Sequence, residues 1–169
     1  MIRPVRQTDA AAICGIYNYY VENTAVTFDE TPAKAEIMED HIGKITAQFP
    51  WFVWEEGGEI FGYAYLHQWK ERMAYRFSTE DSIYLKQGFQ GRGMGKELLA
   101  RLLEKIKKAD VHTVVAGITI PNEQSIGLHE KFGFKKIAQF PEIGYKLGKW
   151  RDVGYWELIL PYPPEGSIP

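Results

Sequence analysis

Mixed α/β architecture, with one twisted sheet of about seven strands and helices on both faces, is what the pattern of residues in this chain implies. Three features point to it. Residues Ser82–Lys105 read as a strand, a glycine-rich turn and an amphipathic helix, and a further apolar strand, Val114–Ile120, follows. Two strands joined through a helix run parallel in one sheet. Gly57-Gly58 separates two strand-favouring runs, which signals an antiparallel hairpin. Near the C-terminus, Lys135–Phe140 and Val153–Leu160 alternate in the manner of antiparallel strands. Parallel and antiparallel pairs together make a mixed sheet, and the interleaved helices cover both of its faces.

Each element has its own reason. Ile2–Arg6 is a short first strand. Ile13, Ile16, Tyr17 and Tyr20 share one helical face after a Thr8/Asp9 start signal. Thr31-Pro32 starts a second helix, because Pro is tolerated at the first helical position. Ile37, His41, Ile42 and Ile45 form its apolar stripe. Phe52–Glu55 and Ile60–Leu66 are the hairpin strands, with Tyr63 and Tyr65 read as core. Ser78–Leu85 enters the glycine turn, and Leu98, Leu99, Leu102, Leu103 and Ile106 face inward from the helix Leu98–Lys108. Val114–Ile120 is apolar enough to be a central strand covered on both sides. Asn122 caps a short helix that stops at Gly133, before the last two strands. Residues 1–160 make one domain without repeat or linker, and Pro161, Pro163, Pro164, Gly166 and Pro169 make 161–169 a Pro-rich tail.

Composition narrows the function classes. A chain of 169 residues can bury a single core, and 45% hydrophobic with 25% charged residues is ordinary for a soluble domain. A net charge of −2 gives no reason to expect a nucleic-acid partner, and Lys105, Lys107 and Lys108 read as a solvated helix face. Cys14 is the single cysteine, so there is no intramolecular disulfide, and its neighbours Ile13 and Ile16 suggest an inert thiol. The apolar runs are far shorter than the ~20 residues of a membrane span, and no signal peptide is visible. A cytoplasmic setting is expected, with no metal and no membrane partner.

The turn itself carries chemistry. In Gln90-Gly91-Arg92-Gly93-Met94-Gly95-Lys96, three glycines at alternate positions let the backbone turn tightly and aim several N–H groups at one point. That point lies at a helix N-terminus and suits a phosphate or pyrophosphate. A nucleoside-triphosphate loop is excluded, since Glu97 follows Lys96 and Gln90 stands where the first Gly should be. A dinucleotide loop is excluded as well, because the spacing is G-x-G-x-G and Val114–Thr119 holds no acid.

The pattern Q-x-x-G-x-G on Gln90, Gly93 and Gly95 resembles the pyrophosphate loop of the GNAT N-acetyltransferases. Asn122 and the run Leu128-His129-Glu130-Lys131-Phe132-Gly133-Phe134 resemble a second motif of that family. One branch, the phosphinothricin and methionine-sulfoximine acetyltransferases, is similar to Tyr17-Asn18, Phe49-Pro50-Trp51, Gly62-Tyr63-Ala64-Tyr65, Trp69-Lys70, Glu80, Tyr84 and Gly144–Gly154. The likeness spans almost all of residues 2–160.

The resemblance implies the GNAT acyl-CoA N-acyltransferase fold, in which the fourth and fifth strands splay apart to admit the pantetheine arm of acetyl-CoA, here near Ile83–Leu85. It implies acetyl-CoA as co-substrate, held by Ile83, Tyr84, Leu85, Gln90, Gly91, Arg92, Gly93, Met94, Gly95, Lys96, Asn122 and His129. Acetyl transfer to an amine needs proton removal, stabilisation of the carbonyl oxygen and departure of the thiolate. Glu80 is the expected base, since burial would raise its pKa toward a useful range; an exposed acid beside Asp81 is the bland alternative. The backbone N–H of Leu85 is the expected oxyanion donor. His129 stands where many family members have Tyr, and is expected to be either the acid or a cofactor contact. For the acceptor, Phe28 and Trp69 are expected to wall the pocket, and Arg72 or Arg76, in the run Arg72-Met73-Ala74-Tyr75-Arg76, to bind a carboxylate. Trp150 and Asp152 fall in a segment that in the family lies near a dimer contact, so a homodimer is expected. The acceptor is expected to be a small-molecule amine, an amino acid analogue. Another amine (a peptide N-terminus, lysine or polyamine) and a non-catalytic acetyl-CoA-binding module are the alternatives, while the Lys70/Arg72/Arg76 cluster disfavours polycationic aminoglycosides.

Overall fold

The computed structural model describes residues 1–106 and 111–161. Lys107, Lys108 and the tail residues 162–169 lie outside the described residues. Among the described residues seven strands form one sheet: β1 (Ile2–Pro4), β2 (Trp51–Glu56), β3 (Glu59–Gln68), β4 (Ser78–Leu85), β5 (Thr113–Ile120), β6 (Lys135–Lys146) and β7 (Lys149–Ile159). Their order is β1-β2-β3-β4-β5-β7-β6, antiparallel throughout except for β4 and β5, which are parallel. The same residues form four α-helices: α1 (Ala10–Asn23), α2 (Ala35–Thr46), α3 (Met94–Ile106) and α4 (Glu123–Lys131).

The alternation of side chains along the strands sorts them onto two cores. Ile13, Ile16, Met38 and Ile42 of α1 and α2 pack with Trp51, Val53, Ile60 and Tyr63 on one face. On the other, Leu98, Leu99, Leu102 and Ile106 of α3 pack with Phe52, Ala64, Leu66, Val114, Ala116 and Trp156. Tyr63 is buried as expected, whereas Tyr65 is half-buried and stacks on Trp51 with ring centroids 4.1 Å apart.

Four elements depart from the sequence reading, one of them α3, which begins at Met94 instead of Leu98. Helix α2 starts at Ala35 instead of Thr31-Pro32, with Lys34 still extended. Asn18 explains this: its side chain both accepts from Ala33 N (2.8 Å) and donates to Ala33 O (3.0 Å), which holds the approach to α2 against α1. The buried stripe accordingly comes from Met38 and Ile42, and Ile37 is exposed. The last two strands are also longer than Lys135–Phe140 and Val153–Leu160 suggested. Leu147 (φ 53°) and Gly148 (φ 72°) form a two-residue turn in which both residues are left-handed, matching the twist of a hairpin. Pro141 falls where the register shifts between Phe140 and Gly144, and Glu142 N donates to Asp152 Oδ1 (2.9 Å) across that bulge.

Pairing between β4 and β5 covers only Ser78–Thr113, Thr79–Val114 and Glu80–Val115, although both strands run on. The splay therefore begins directly after Glu80, earlier than Ile83–Leu85. Trp69 N donates to Ser78 O and Lys86 N to Phe61 O, so even-numbered residues of β4 bond to β3. The backbone groups of Asp81, Ile83 and Leu85 consequently face the gap, where β5 does not pair with them.

Candidate active site

Two cavities adjoin at this gap. The larger, about 790 Å³, is lined by Tyr20, Ile83, Leu85, Gln90, Gly91, Gly93, Gly95, Lys96 and residues of α4. The smaller, about 390 Å³, is lined by Phe28, Glu80, Asp81, Ile83, Tyr84, Gly117, His129 and Tyr155 among others. Val26, Ile83, Asn122 and Ser125 line both. The space thus passes through the sheet: Glu80 belongs to the face of α1 and α2, and Asp81, one residue on, to the face of α3 and α4.

Gly91 (φ 77°) and Gly93 (φ 87°) supply the left-handed conformations of the loop before α3, and the Gly93 carbonyl accepts from Glu97 N as the helix begins. Gln90 braces this loop: its Oε1 accepts from Gly88 N (2.9 Å) and its Nε2 donates to the Tyr20 hydroxyl (3.0 Å). That hydroxyl donates in turn to the Leu85 carbonyl at 2.6 Å, so α1 is tied to the rim of the gap. Among the residues expected at the cofactor, Arg92 turns back to Gly88 O and over the Phe89 ring, and Met94 is buried in the core; neither lines a cavity. Asn122 accepts from Ser125 N (3.1 Å) and caps α4, as expected.

Glu80 lies opposite His67 across β3 and β4, and its carboxylate occupies space that only a glycine at 117 leaves open: a Cβ there would sit 2.9 Å from Oε1 and 3.4 Å from the Tyr155 ring. Burial pushes the Glu80 carboxyl up; His67 pulls it back and Asp81 adds to the rise. Burial, then the Glu80 charge, pushes the Tyr155 phenol up as well.

His129 is not a solitary histidine. Its Nε2 lies 2.9 Å from Asp81 Oδ2 and its Nδ1 2.7 Å from Ser125 O, with side-chain exposures of 5% for His129 and 2% for Asp81. Burial alone would lower the pKa of the ring, but the Asp81 charge and hydrogen bond, with the Ser125 carbonyl, outweigh it and raise it. Asp81 is thus buried and paired instead of forming an exposed acidic pair with Glu80. Strand alternation was the signal: adjacent residues of β4 point to opposite faces, so two acids in succession cannot both be solvated when both faces are covered.

Phe28 lines the smaller cavity, and its ring packs so closely on Gly144 that any Cβ there would overlap it. Lys146 Nζ donates to Thr27 O (2.6 Å) beside it, fixing the same loop on the β6–β7 hairpin. Trp69 lines neither cavity. The run 72–76 forms a short 3-10 turn, Met73–Tyr75, in which Arg72, Met73, Ala74 and Arg76 are exposed and Tyr75 packs edge-on to Trp69. None of these five lines either of the two cavities. Among the described residues no cluster of His, Cys, Asp and Glu could hold a metal ion.

A family model for the acetyltransferase (GNAT) domain matches residues 2–154. The chain is 36% identical over 170 residues to the phosphinothricin N-acetyltransferase of Streptomyces viridochromogenes, covering 99% of this chain and 93% of that protein. It is 36% identical over 160 residues to the L-methionine sulfoximine/L-methionine sulfone acetyltransferase of Salmonella typhimurium, covering 94% of each. The fold matches the crystal structure of a phosphinothricin acetyltransferase from Sinorhizobium meliloti in complex with acetyl-CoA, with a TM-score of 0.93 and 33% identity over 100% of this chain and 95% of that one. With the parallel pair open after Glu80, the glycine loop at the head of α3 and these likenesses over nearly its whole length, the chain belongs to the phosphinothricin/methionine sulfoximine acetyltransferase branch of the GNAT superfamily and is an acetyl-CoA-dependent N-acetyltransferase.

Proposed function

We propose that the enzyme acetylates the α-amine of a small amino acid analogue, of the methionine sulfoximine, methionine sulfone or phosphinothricin type, by direct attack of the amine on the thioester. The observation that carries this reading is the meeting of the two cavities at the β4–β5 gap. Acetyl-CoA, when bound, supplies the thioester. Loop N–H groups from Gly91 to Lys96 fit its diphosphate, and the gap-facing amide and carbonyl of Ile83 fit the amides of its pantetheine arm.

In the smaller cavity Glu80 takes a proton from the acceptor ammonium, directly or through one water. The Leu85 N–H faces the gap and stabilises the carbonyl oxygen as charge builds on it. The relatives named for phosphinothricin and methionine sulfoximine support the amino acid class. The lining favours a second reading, because among the described residues it carries two carboxylates and no Arg or Lys. A simple amine or a lysine side chain would suit it, whereas an amino acid would hold its carboxylate at the mouth. A thiol-release assay decides between them, with methionine sulfoximine, methionine sulfone, phosphinothricin, lysine peptides and polyamines as acceptors. Turnover with the amino acid analogues is expected; thiol release with polyamines alone would overturn the first reading.

The Phe28 wall gives a specificity prediction. Gly144→Ala forces the ring from its seat, at a packing cost of about 1–3 kcal/mol. Its expected effect is a raised acceptor KM with unchanged acetyl-CoA affinity; an unchanged acceptor KM would remove Phe28 from the pocket. We also propose a homodimer through the β6–β7 hairpin, whose Tyr145, Leu147 and Trp150 leave 57%, 50% and 60% of their surface exposed. Sedimentation as a 19.4 kDa monomer at micromolar concentration would count against it. Among the described residues no helix is long and apolar enough to cross a membrane.

A further inference from the structure

We propose that Asp81 is a positioning residue of the transfer: its carboxylate holds the His129 ring at the gap with both nitrogens protonated, and so makes that ring a fixed cation that steadies the departing thiolate. The identity of the leaving group rests on the reading above; the protonation state of the ring does not.

With Asp81 ionised, the geometry calls for two protons on the ring. Nδ1 faces a backbone carbonyl oxygen at 2.7 Å and Nε2 a carboxylate oxygen at 2.9 Å. Both oxygens accept, and a bare nitrogen lone pair at either distance would be repelled. Neutral imidazole has one N–H to offer and imidazolium has two. Among the described residues Asp81 Oδ1 is buried with no hydrogen-bond partner, so His129 is the main compensation for that carboxylate. Removing either member would leave the other buried without its partner.

Of the neighbouring charged groups, Lys96 of α3 and Glu123 and Lys131 of α4 line the larger cavity. Glu80, on the same strand, projects from its opposite face toward Gly117 and Tyr155. On α4, Glu130 accepts from Trp156 Nε1 of β7 at 3.1 Å. From β5, Ala116 and Ile118 line the same cavity and are not titratable, and Phe134 meets the ring edge-on at 5.1 Å between centroids. The inward face of α3 is apolar.

In the reaction the amine lone pair forms the N–C bond and the C–S bond breaks with its pair left on sulfur, where the His129 cation steadies the charge. The acceptor ammonium gives one proton to Glu80 before attack. After the N–C bond forms the same nitrogen gives a second, which passes through water to the thiolate. The products are an amide, a free thiol and one proton released to solvent from Glu80.

The test is a ring-nitrogen NMR titration of His129 in the ligand-free wild type and in Asp81→Asn, with pH profiles of kcat and calorimetric binding of CoA. In the wild type both ring nitrogens should report protonation at neutral pH. In Asp81→Asn the midpoint should fall by about 1–3 pH units, and the alkaline limb of kcat should move to lower pH by the same amount. CoA affinity should stay as in the wild type, and Asp81→Glu should restore part of the shift. A neutral ring in the wild type, as a protonated Asp81 would give, overturns the proposal without any variant being needed. A lowered midpoint with kcat and its alkaline limb unmoved overturns the role in transfer. Absence of CoA binding in the wild type would instead strike the acetyl-CoA reading and leave the ion pair standing.

Discussion

Glu80→Gln is expected to lower kcat by about 10²- to 10⁴-fold while the KM for acetyl-CoA stays nearly unchanged. Gln keeps the volume that Gly117 and Tyr155 accommodate, so the cavity is preserved and only the ability to accept a proton is lost. The pH profile supplies an independent sign. Glu80 must be ionised to act, and burial pushes its carboxyl up, with Asp81 adding to the rise and His67 opposing it. The acidic limb of kcat/KM should therefore lie above the ordinary Glu value of about 4.3, and it should vanish in Glu80→Gln. Turnover equal to the wild type, or an acidic limb that persists in the variant, would assign the base elsewhere.

Gly93→Val should weaken CoA binding by about 10- to 100-fold. A φ of 87° is open to Gly and strained for a β-branched residue, by upwards of 1–2 kcal/mol. The Gly93 carbonyl also accepts from Glu97 N, so relaxing the strain disturbs the first turn of α3 and the direction of its N–H groups. The buried leucines of α3 are untouched, and the far-UV circular dichroism should be that of the wild type. Calorimetry gives the affinity. Wild-type affinity in this variant would mean that the loop does not grip the diphosphate.

Where the residue pattern was informative, the physics was local. The leucine spacing of α3, the Gly57-Gly58 turn and the apolar run of β5 each depend on neighbours a few positions away, and each stands where it was expected. The glycine loop was legible for the same reason, since its chemistry is that of the backbone. Helix α2 starts late because Asn18, fifteen residues upstream, holds Ala33, and no local signal records that. The opening of the sheet after Glu80 depends on where β5 ceases to pair, a property of two strands together. Asp81 was passed over because an acid beside another acid resembles solvated surface until both faces of β4 are known to be covered. The arginines at 72 and 76 looked like pocket residues from charge and proximity to Glu80 in the chain, yet their short 3-10 turn leaves them exposed.

A crystal structure of the enzyme with acetyl-CoA bound is the most direct measurement of all. The diphosphate should rest on the amides between Gly91 and Lys96, the pantetheine arm should lie between β4 and β5 against the backbone of Ile83 and Leu85, and the sulfur should reach the space between Glu80 and His129. A nucleotide seated anywhere else, or an arm that passes outside the gap, would contradict it.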